Sequence, residues 1–359
     1  NIDKKITDFL VKEMKIGKWM LAPIDLLLFV AAAVFSVMIR ISVVDYTAIE
    51  LPAFVKYGNM LSIVTGITDL LLAVLGSLIV YDLTERKIRA FLTYAILLML
   101  PVLCASCAMW GMGDSIYIFF AVLSLYLLMK GKGNASLVSY GISLFLSRYA
   151  FFLLPVYAIA FMQKKNKLMY FIFPFCGVWF RNGIVHQSGY LPVPSFEMER
   201  LFVKLRGESL LSQNWPNIFQ MIGTDKFIQE YSLVAKVAAA SLMLLVIMLV
   251  LLRSWEMSGE GIWYVGLVLS ILIPYVMPQM DERAGLLSCV LYLLFAMKHP
   301  DLYYPAIVQV IITYISFSAY FRGESVISLS AVALAELFVL LFTIRRADHV
   351  FKVQQEEAR

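Results

Sequence analysis

The chain has 359 residues, 61% of them hydrophobic and only 15% charged, with a mean hydropathy of +0.80 and a formal net charge of +5. Soluble domains are about 45–50% apolar and 25% charged, so this composition excludes an ordinary soluble protein; the basic residues sit in short turns, not in one patch suited to nucleic acid. The apolar residues fall in blocks of about 16–24, long enough to cross a ~30 Å hydrocarbon layer as helix, and near-continuous runs such as Leu26–Ile39 and Val237–Leu252 exclude the alternating strands of a membrane barrel.

Residues 1–18 place Lys4, Lys5, Lys12, Lys15 and Lys18 beside Ile2, Ile6, Phe9, Leu10 and Met14 at helical spacing, the pattern of an amphipathic helix on an anionic leaflet. The first apolar block is long enough to span and reads as an anchor, not a cleaved signal. Spanning helices are predicted over 19–39, 60–81, 88–108, 114–130, 168–183, 234–252, 260–278, 284–298, 303–320 and 326–344. The fold class is therefore an all-α polytopic transmembrane bundle of about ten spans. Its organisation is an interfacial helix over 1–18, one transmembrane domain over 19–344 and a cytoplasmic tail over 345–359.

With both termini in the cytoplasm, 19 of the 30 Lys and Arg lie on the inner side, including Arg86, Lys87 and Arg89, Lys130 and Lys132, and Lys164, Lys165 and Lys167. Residues 135–162 lie between two of these basic turns and must enter and return on the same side. Each arm has room for only ~20 Å of helix, so a short cytoplasm-facing hairpin with its tip near Ser147–Arg148–Tyr149 is expected inside the membrane. An embedded arginine costs at least ~2.5–3.5 kcal/mol unless paired or solvated, so Arg148 implies a polar cavity opening outward.

Two outer segments, 40–59 and 181–233, exceed simple turns; the second, with Phe196, Leu201, Phe202 and Leu205 followed by Ser212–Gln213–Asn214–Trp215–Pro216, suggests interfacial helices. The four cysteines lie in or beside apolar blocks, and Cys104-x-x-Cys107 reads as helix packing, not as a thiolate metal site. His186, His299 and His349 are too scattered for a metal site or a Ser-His-Asp triad.

At the outer ends of the predicted helices stand Arg40, Asp45 and Glu50, Asp114, Arg148, and Asp281–Glu282–Arg283. Carboxylates and guanidinium groups at one membrane depth fit transfer of a sugar from a lipid phosphate: a carboxylate deprotonates the acceptor hydroxyl, and arginine, whose planar fork holds two phosphate oxygens, stabilises the leaving phosphate. A nucleotide sugar is normally not available outside the cytoplasm, and an apolar body suits a polyprenyl tail.

The run Trp110–Gly111–Met112–Gly113–Asp114–Ser115–Ile116–Tyr117 resembles the Trp-Gly-Gln-x-Asp-(Ser/Ala)-Ile-Tyr signature of GT-C superfamily membrane glycosyltransferases, notably bacterial relatives of the GPI-anchor mannosyltransferases. Met280–Asp281–Glu282–Arg283 is similar to their His-Glu-Arg-Tyr stretch, and Leu144–Pro155 to their hairpin with a basic residue near its tip. Met112 stands where the signature has an amide, Asp281 where histidine is common and Ala284 where tyrosine is usual, so no mannose specificity is carried over.

The resemblance implies an enzyme that moves one monosaccharide from a polyprenyl-phosphate donor to an extracytoplasmic glycan, lipid or protein acceptor, by inverting displacement, in a bacterial plasma membrane. It implies Asp45 as general base with Tyr46 orienting it or the acceptor, Asp114 as second carboxylate that positions the acceptor or acts as base if Asp45 does not, and Arg283, Arg148 and Arg40 on the donor phosphate. Glu282, Asp281 and Trp110 are then substrate-positioning residues, with Glu282 orienting Arg283. For Asp114 a helix N-cap is the structural alternative, and for Trp110 the interfacial belt. No cofactor is required; Asp45 and Asp114 alone are thin support for the divalent metal that some members use. Asp69 and Glu336, near mid-segment, are expected to face the bundle interior in hydrogen-bonded or ion pairs. A lipid-linked-sugar transporter or flippase is the alternative, although no internal repeat is visible; a non-catalytic lipid-binding subunit is a further one.

Overall fold

Backbone groups in a lipid-facing run must satisfy one another, which leaves the helix as the local solution for such sequences. The computed structural model describes residues 52–104, 106, 113–187, 211–222, 228–253, 259–323 and 325–357, and within these every regular element is helical and no strand forms. The helices are α1 (Pro52–Thr84), α2 (Lys87–Leu98), α3 (Pro101–Cys104), α4 (Asp114–Met129), α5 (Gly133–Leu146), α6 (Leu154–Met162) and α7 (Ile172–Gln187). They continue with α8 (Ile218–Ile222), α9 (Ile228–Leu252), α10 (Glu260–Val276), α11 (Leu286–Ala296), α12 (Tyr303–Arg322) and α13 (Leu329–Glu357). Short 3-10 turns cover Arg148–Leu153, Leu168–Phe171, Glu282–Gly285 and Pro300–Leu302.

Four stretches among the described residues are long and apolar enough to cross a membrane: Val64–Thr84, Lys87–Cys104, Val234–Leu252 and Pro300–Tyr320; four shorter apolar ones cover Asp114–Met129, Arg148–Met162, Leu168–Arg181 and Glu260–Val276. Their outer faces are apolar too. On α1, Val64, Ile67, Leu71, Val74 and Leu78 form an exposed stripe, and Leu244, Leu245, Met248 and Leu249 form another on α9. Contiguous exposed stripes of this kind are unusual on soluble monomers and compatible with a membrane protein. The predicted span 19–39 lies outside the described residues.

Several boundaries differ from those expected. The predicted span 88–108 breaks after α2, because Pro101 has no N–H to donate and its ring excludes the carbonyl of Leu97; Leu100 instead closes a tighter bond to Leu97 at 3.4 Å. Helix α1 begins at Pro52, inside the segment 40–59 expected as a loop, with proline at a position that suits a first helical turn. Helix α13 runs unbroken through most of the expected tail to Glu357, since no glycine or proline interrupts 329–357.

The hairpin over 135–162 forms. Helix α5 ends at Leu146, Ser147 is extended, and the chain returns through the Arg148–Leu153 turn and α6. Its two ends meet: the Lys167 N–H donates to Asn134 Oδ1 at 3.2 Å. Helices α5 and α7 cross so closely at Gly141 that an added Cβ would lie 2.6 Å from the Phe173 carbonyl carbon, the small-residue packing that membrane helices favour. Serines tie α4 to α5, with Ser139 Oγ donating to Phe120 O and Ser143 Oγ to Tyr117 O, both at 2.9 Å.

One end of the bundle gathers the basic turns. There Lys130 pairs with Asp82 at 2.5 Å, Arg346 with Asp301 at 2.8 Å, Glu260 with Lys298 and His299, and Arg253 with Asp348. Arg89 Nη1 also donates to Met297 O at 3.0 Å. The N-terminus of α4, the hairpin tip and the Glu282–Gly285 turn lie at the far ends of these same helices, so Asp114, Arg148 and Asp281–Arg283 share the opposite side.

Candidate functional site

Three segments distant in sequence build the centre of that opposite end. The hairpin tip supplies Arg148 and Tyr149, because α5 stops at Leu146 and Ser147 caps the following turn by accepting from the Tyr149 N–H at 3.3 Å. The turn before α11 supplies Asp281, Glu282 and Arg283. The start of α4 supplies Asp114 and Tyr117.

Asp281 is the hub. Its carboxylate is 3% exposed, and Oδ2 takes Nη2 of Arg148 and Nη2 of Arg283, each at 3.1 Å. Its Oδ1 accepts the Arg283 backbone N–H at 3.1 Å, capping the Glu282–Gly285 turn, and also accepts the Tyr149 hydroxyl. Arg148 donates to that hydroxyl as well, at 2.9 Å. Both guanidinium carbons lie over the Tyr149 ring, 5.1 and 5.4 Å from its centroid, within cation–π range. One carboxylate and one aromatic ring thus hold two like charges together, which Coulomb repulsion in a poorly solvated site would otherwise separate.

The two arginines differ in access. The Arg283 side chain is 10% exposed and that of Arg148 is 38% exposed, so Arg148 is the more accessible of the two. Glu282 is completely buried within the same turn.

Asp114 is 5% exposed and accepts from Ser106 Oγ at 2.7 Å. It is the first helical residue of α4 with Gly113 in the capping position, so it does not play the N-cap role that its sequence context allows. It adjoins the arginine centre through Tyr117 of the same helix, whose ring centroid is 6.2 Å from that of Tyr149. The structure therefore brings together Arg148, Asp281, Glu282 and Arg283, with Asp114 adjoining. Arg40, Asp45, Tyr46 and Trp110 lie outside the described residues.

Asp281 occupies the place where the resembled stretch carries histidine, and here it supplies contacts that orient Arg283. Tyr149 and Tyr117 carry no assigned role in the sequence, although both stand inside the quoted motifs. A further element unread from sequence is the segment 211–217, which straps the turn from outside. Gln213 N–H donates to Met280 O at 3.0 Å and Gln279 N–H to Leu211 O at 2.8 Å. Asn214 and Gln279 take left-handed φ of 67° and 59° to make these contacts. The strap seats Trp215, fully buried, against Gly285, where an added Cβ would overlap the indole and come within 2.6 Å of Thr313 Oγ1. The Trp-Pro pair amid polar residues in a long outer loop is the signal that marks such an anchor.

Beneath the turn, Glu336 is completely buried and accepts from Gln309 Nε2 at 3.1 Å, while that amide also donates to Ser288 Oγ at 3.0 Å. Glu336 thus faces the interior and has a hydrogen-bond partner, as expected; Asp69 is half-buried beside Cys104. Among the described residues no group of three or more His, Cys, Asp or Glu is placed to hold a metal ion.

No family model matches the chain, and a search of curated proteins finds no relative.

Proposed function

We propose that this chain is a polytopic membrane glycosyltransferase that moves one monosaccharide from a polyprenyl-phosphate donor to an extracytoplasmic acceptor. The observation that carries this reading is the convergence of Arg148 and Arg283, each 3.1 Å from one oxygen of Asp281, with Arg148 the more accessible of the two. A preorganised guanidinium pair suits a phosphate monoester or diester and stabilises charge as it develops on a leaving phosphate. The apolar stripes on α1 and α9 suit a chain of about ten spans whose body lies in lipid beside a polyprenyl tail. The basic turns opposite the centre favour a cytoplasmic position for that end and for both termini, with the centre then at the outer face of a bacterial plasma membrane.

In this mechanism a carboxylate removes the proton of the acceptor hydroxyl. The acceptor oxygen then forms its bond to the anomeric carbon on the face opposite the phosphate, the anomeric C–O bond to phosphate breaks, and the configuration inverts. Asp45 is the base by resemblance, with Tyr46 orienting it. Asp114, the second carboxylate, positions the acceptor, or serves as base in place of Asp45. Arg148 and Arg283, held together by Asp281, receive the departing polyprenyl phosphate; by resemblance Arg40 joins them on the phosphate and Trp110 packs on the sugar.

The test is transfer of labelled sugar from a panel of polyprenyl-phosphate sugars in proteoliposomes. Arg148→Ala and Asp45→Asn are each expected to lower turnover by about a hundredfold or more, with donor binding retained in Asp45→Asn. Full activity of Asp45→Asn excludes that residue as base. Movement of the intact donor across the bilayer without transfer favours a transporter instead.

A further inference from the structure

Tyr117 is 1% exposed, yet among the described residues its hydroxyl has no hydrogen-bond partner. Burying a hydroxyl that way destabilises a fold, and phenylalanine would fill the same space without that cost. Its neighbours among the buried tyrosines show the usual solution: Tyr149 bonds Asp281, Tyr157 meets Ser136 at 2.9 Å, and Tyr292 bonds Thr343. Among the described residues the Tyr140 hydroxyl also lacks a partner, but its ring stacks on Tyr157 in the core. Of these two, Tyr117 is the one beside the arginine centre.

Its placement there is fixed from two sides. The Tyr117 carbonyl accepts from Ser143 Oγ at 2.9 Å, pinning this turn of α4 to α5. Its ring leans on Tyr149 at 41°, with centroids 6.2 Å apart, and that same Tyr149 ring carries the guanidinium groups of Arg148 and Arg283. Both Asp281 oxygens are already engaged by Tyr149, Arg148 and Arg283, and Asp114 accepts from Ser106. A neutral donor left over beside two guanidinium groups is matched by a ligand that brings its own acceptors.

We propose that the Tyr117 hydroxyl donates a hydrogen bond to a non-bridging phosphate oxygen of the ligand held by Arg148 and Arg283. The inference rests on the phosphate-binding reading given above and adds to it a residue that touches the ligand. The shared chemistry is a phosphate oxygen, and the lipid-linked and free forms are separated by experiment. The hydroxyl thus trades stability of the unliganded chain for grip on the donor.

The test uses the purified full chain in detergent, with Tyr117→Phe and, as a control, Tyr140→Phe. Two quantities are read for each: the melting temperature without ligand, and the affinity for polyprenyl phosphate, for inorganic phosphate and for the uncharged polyprenol. Tyr117→Phe is expected to melt no lower than the parent and to bind polyprenyl phosphate about tenfold or more weakly, the effect of one hydrogen bond to a charged group, with polyprenol binding unchanged. Tyr140→Phe is expected to leave all affinities unchanged. Weakening confined to inorganic phosphate would support the contact with a free anion as its source. A lower melting temperature for Tyr117→Phe shows a structural hydroxyl and overturns the inference, as does unaltered affinity in a variant of unaltered stability. If the parent chain binds neither phosphate compound, the phosphate-binding reading itself fails and the inference falls with it.

Discussion

Arg148 and Asp281 stand 133 positions apart in the chain and 3.1 Å apart in the fold. That contact closes the hairpin tip onto the turn before α11, and through the same carboxylate oxygen it brings Arg283 into register. The centre is therefore a property of the tertiary fold, and its geometry depends on a residue, Asp281, whose carboxylate is almost wholly enclosed.

Replacing Asp281 with alanine leaves two guanidinium groups facing one another without the shared carboxylate. Removing one partner of a buried ion pair costs roughly 3–5 kcal/mol; with Arg148 partly solvated, a loss near the lower bound, about 3 kcal/mol, is expected. Thermal melting in detergent checks this, and Asp281→Glu is expected to recover only part of the loss, since the longer side chain displaces both contacts.

Arg148→Lys is expected to behave almost as Arg148→Ala. Lysine keeps the charge but lacks the planar fork that meets Asp281, the Tyr149 hydroxyl and a phosphate together. Donor affinity measured across parent, Lys and Ala variants distinguishes shape from charge: a lysine variant with parental affinity would show that charge alone suffices.

The strap over 211–217 is held in place by a missing side chain. Gly285→Ala drives a methyl group into the Trp215 indole and against Thr313, and overpacking of this kind typically costs about 1–3 kcal/mol. The double variant Gly285→Ala with Trp215→Leu is expected to be less destabilised than the sum of the two single changes, because each relieves the other. Strict additivity in a melting-temperature cycle would mean that the two residues do not meet.

Glu336 and Gln309 form a buried hydrogen-bonded pair whose loss is readable in stability. Glu336→Gln retains an acceptor for the Gln309 amide and is expected to cost under ~1 kcal/mol, whereas Glu336→Leu removes it and is expected to cost about 1–3 kcal/mol, the range for a buried polar group left unsatisfied. Equal melting temperatures for the two variants would place the Glu336 side chain outside the packed interior.

Much of this architecture is written locally. Apolar runs specify the helices, the basic turns at 130–132 and 164–167 specify that residues 135–162 return to their starting side, and charges at helix ends place Asp114, Arg148 and Asp281–Arg283 on one side of the bundle. Pro101 could have marked the break between α2 and α3, since proline in a helical run ends it by a rule local to five residues. The extension of α13 had a weaker signal: Arg345, Arg346 and Asp348 look like a tail, but nothing in them stops a helix.

The contacts were not legible. No spacing in the chain pairs position 148 with position 281, because that depends on how α5, α10 and α11 pack. Tyr149 and Tyr117 stand among many buried aromatics; what sets Tyr149 apart is that its hydroxyl meets Asp281 and Arg148, and what sets Tyr117 apart is its place beside Tyr149. Asp281, marked by sequence as a departure from a histidine, becomes the hub for the same reason: its role is defined by two arginines that a linear pattern does not bring to it.

The most direct measurement is native mass spectrometry of the purified chain against polyprenyl-phosphate sugars, matched nucleotide sugars and polyprenyl phosphate alone, with Arg148→Ala and Arg283→Ala in parallel. The account predicts selective retention of one lipid-phosphate sugar by the parent, loss of it in both variants, and no retention of nucleotide sugars. Retention undiminished in both arginine variants, or binding of nucleotide sugars in preference to lipid-linked ones, would contradict it.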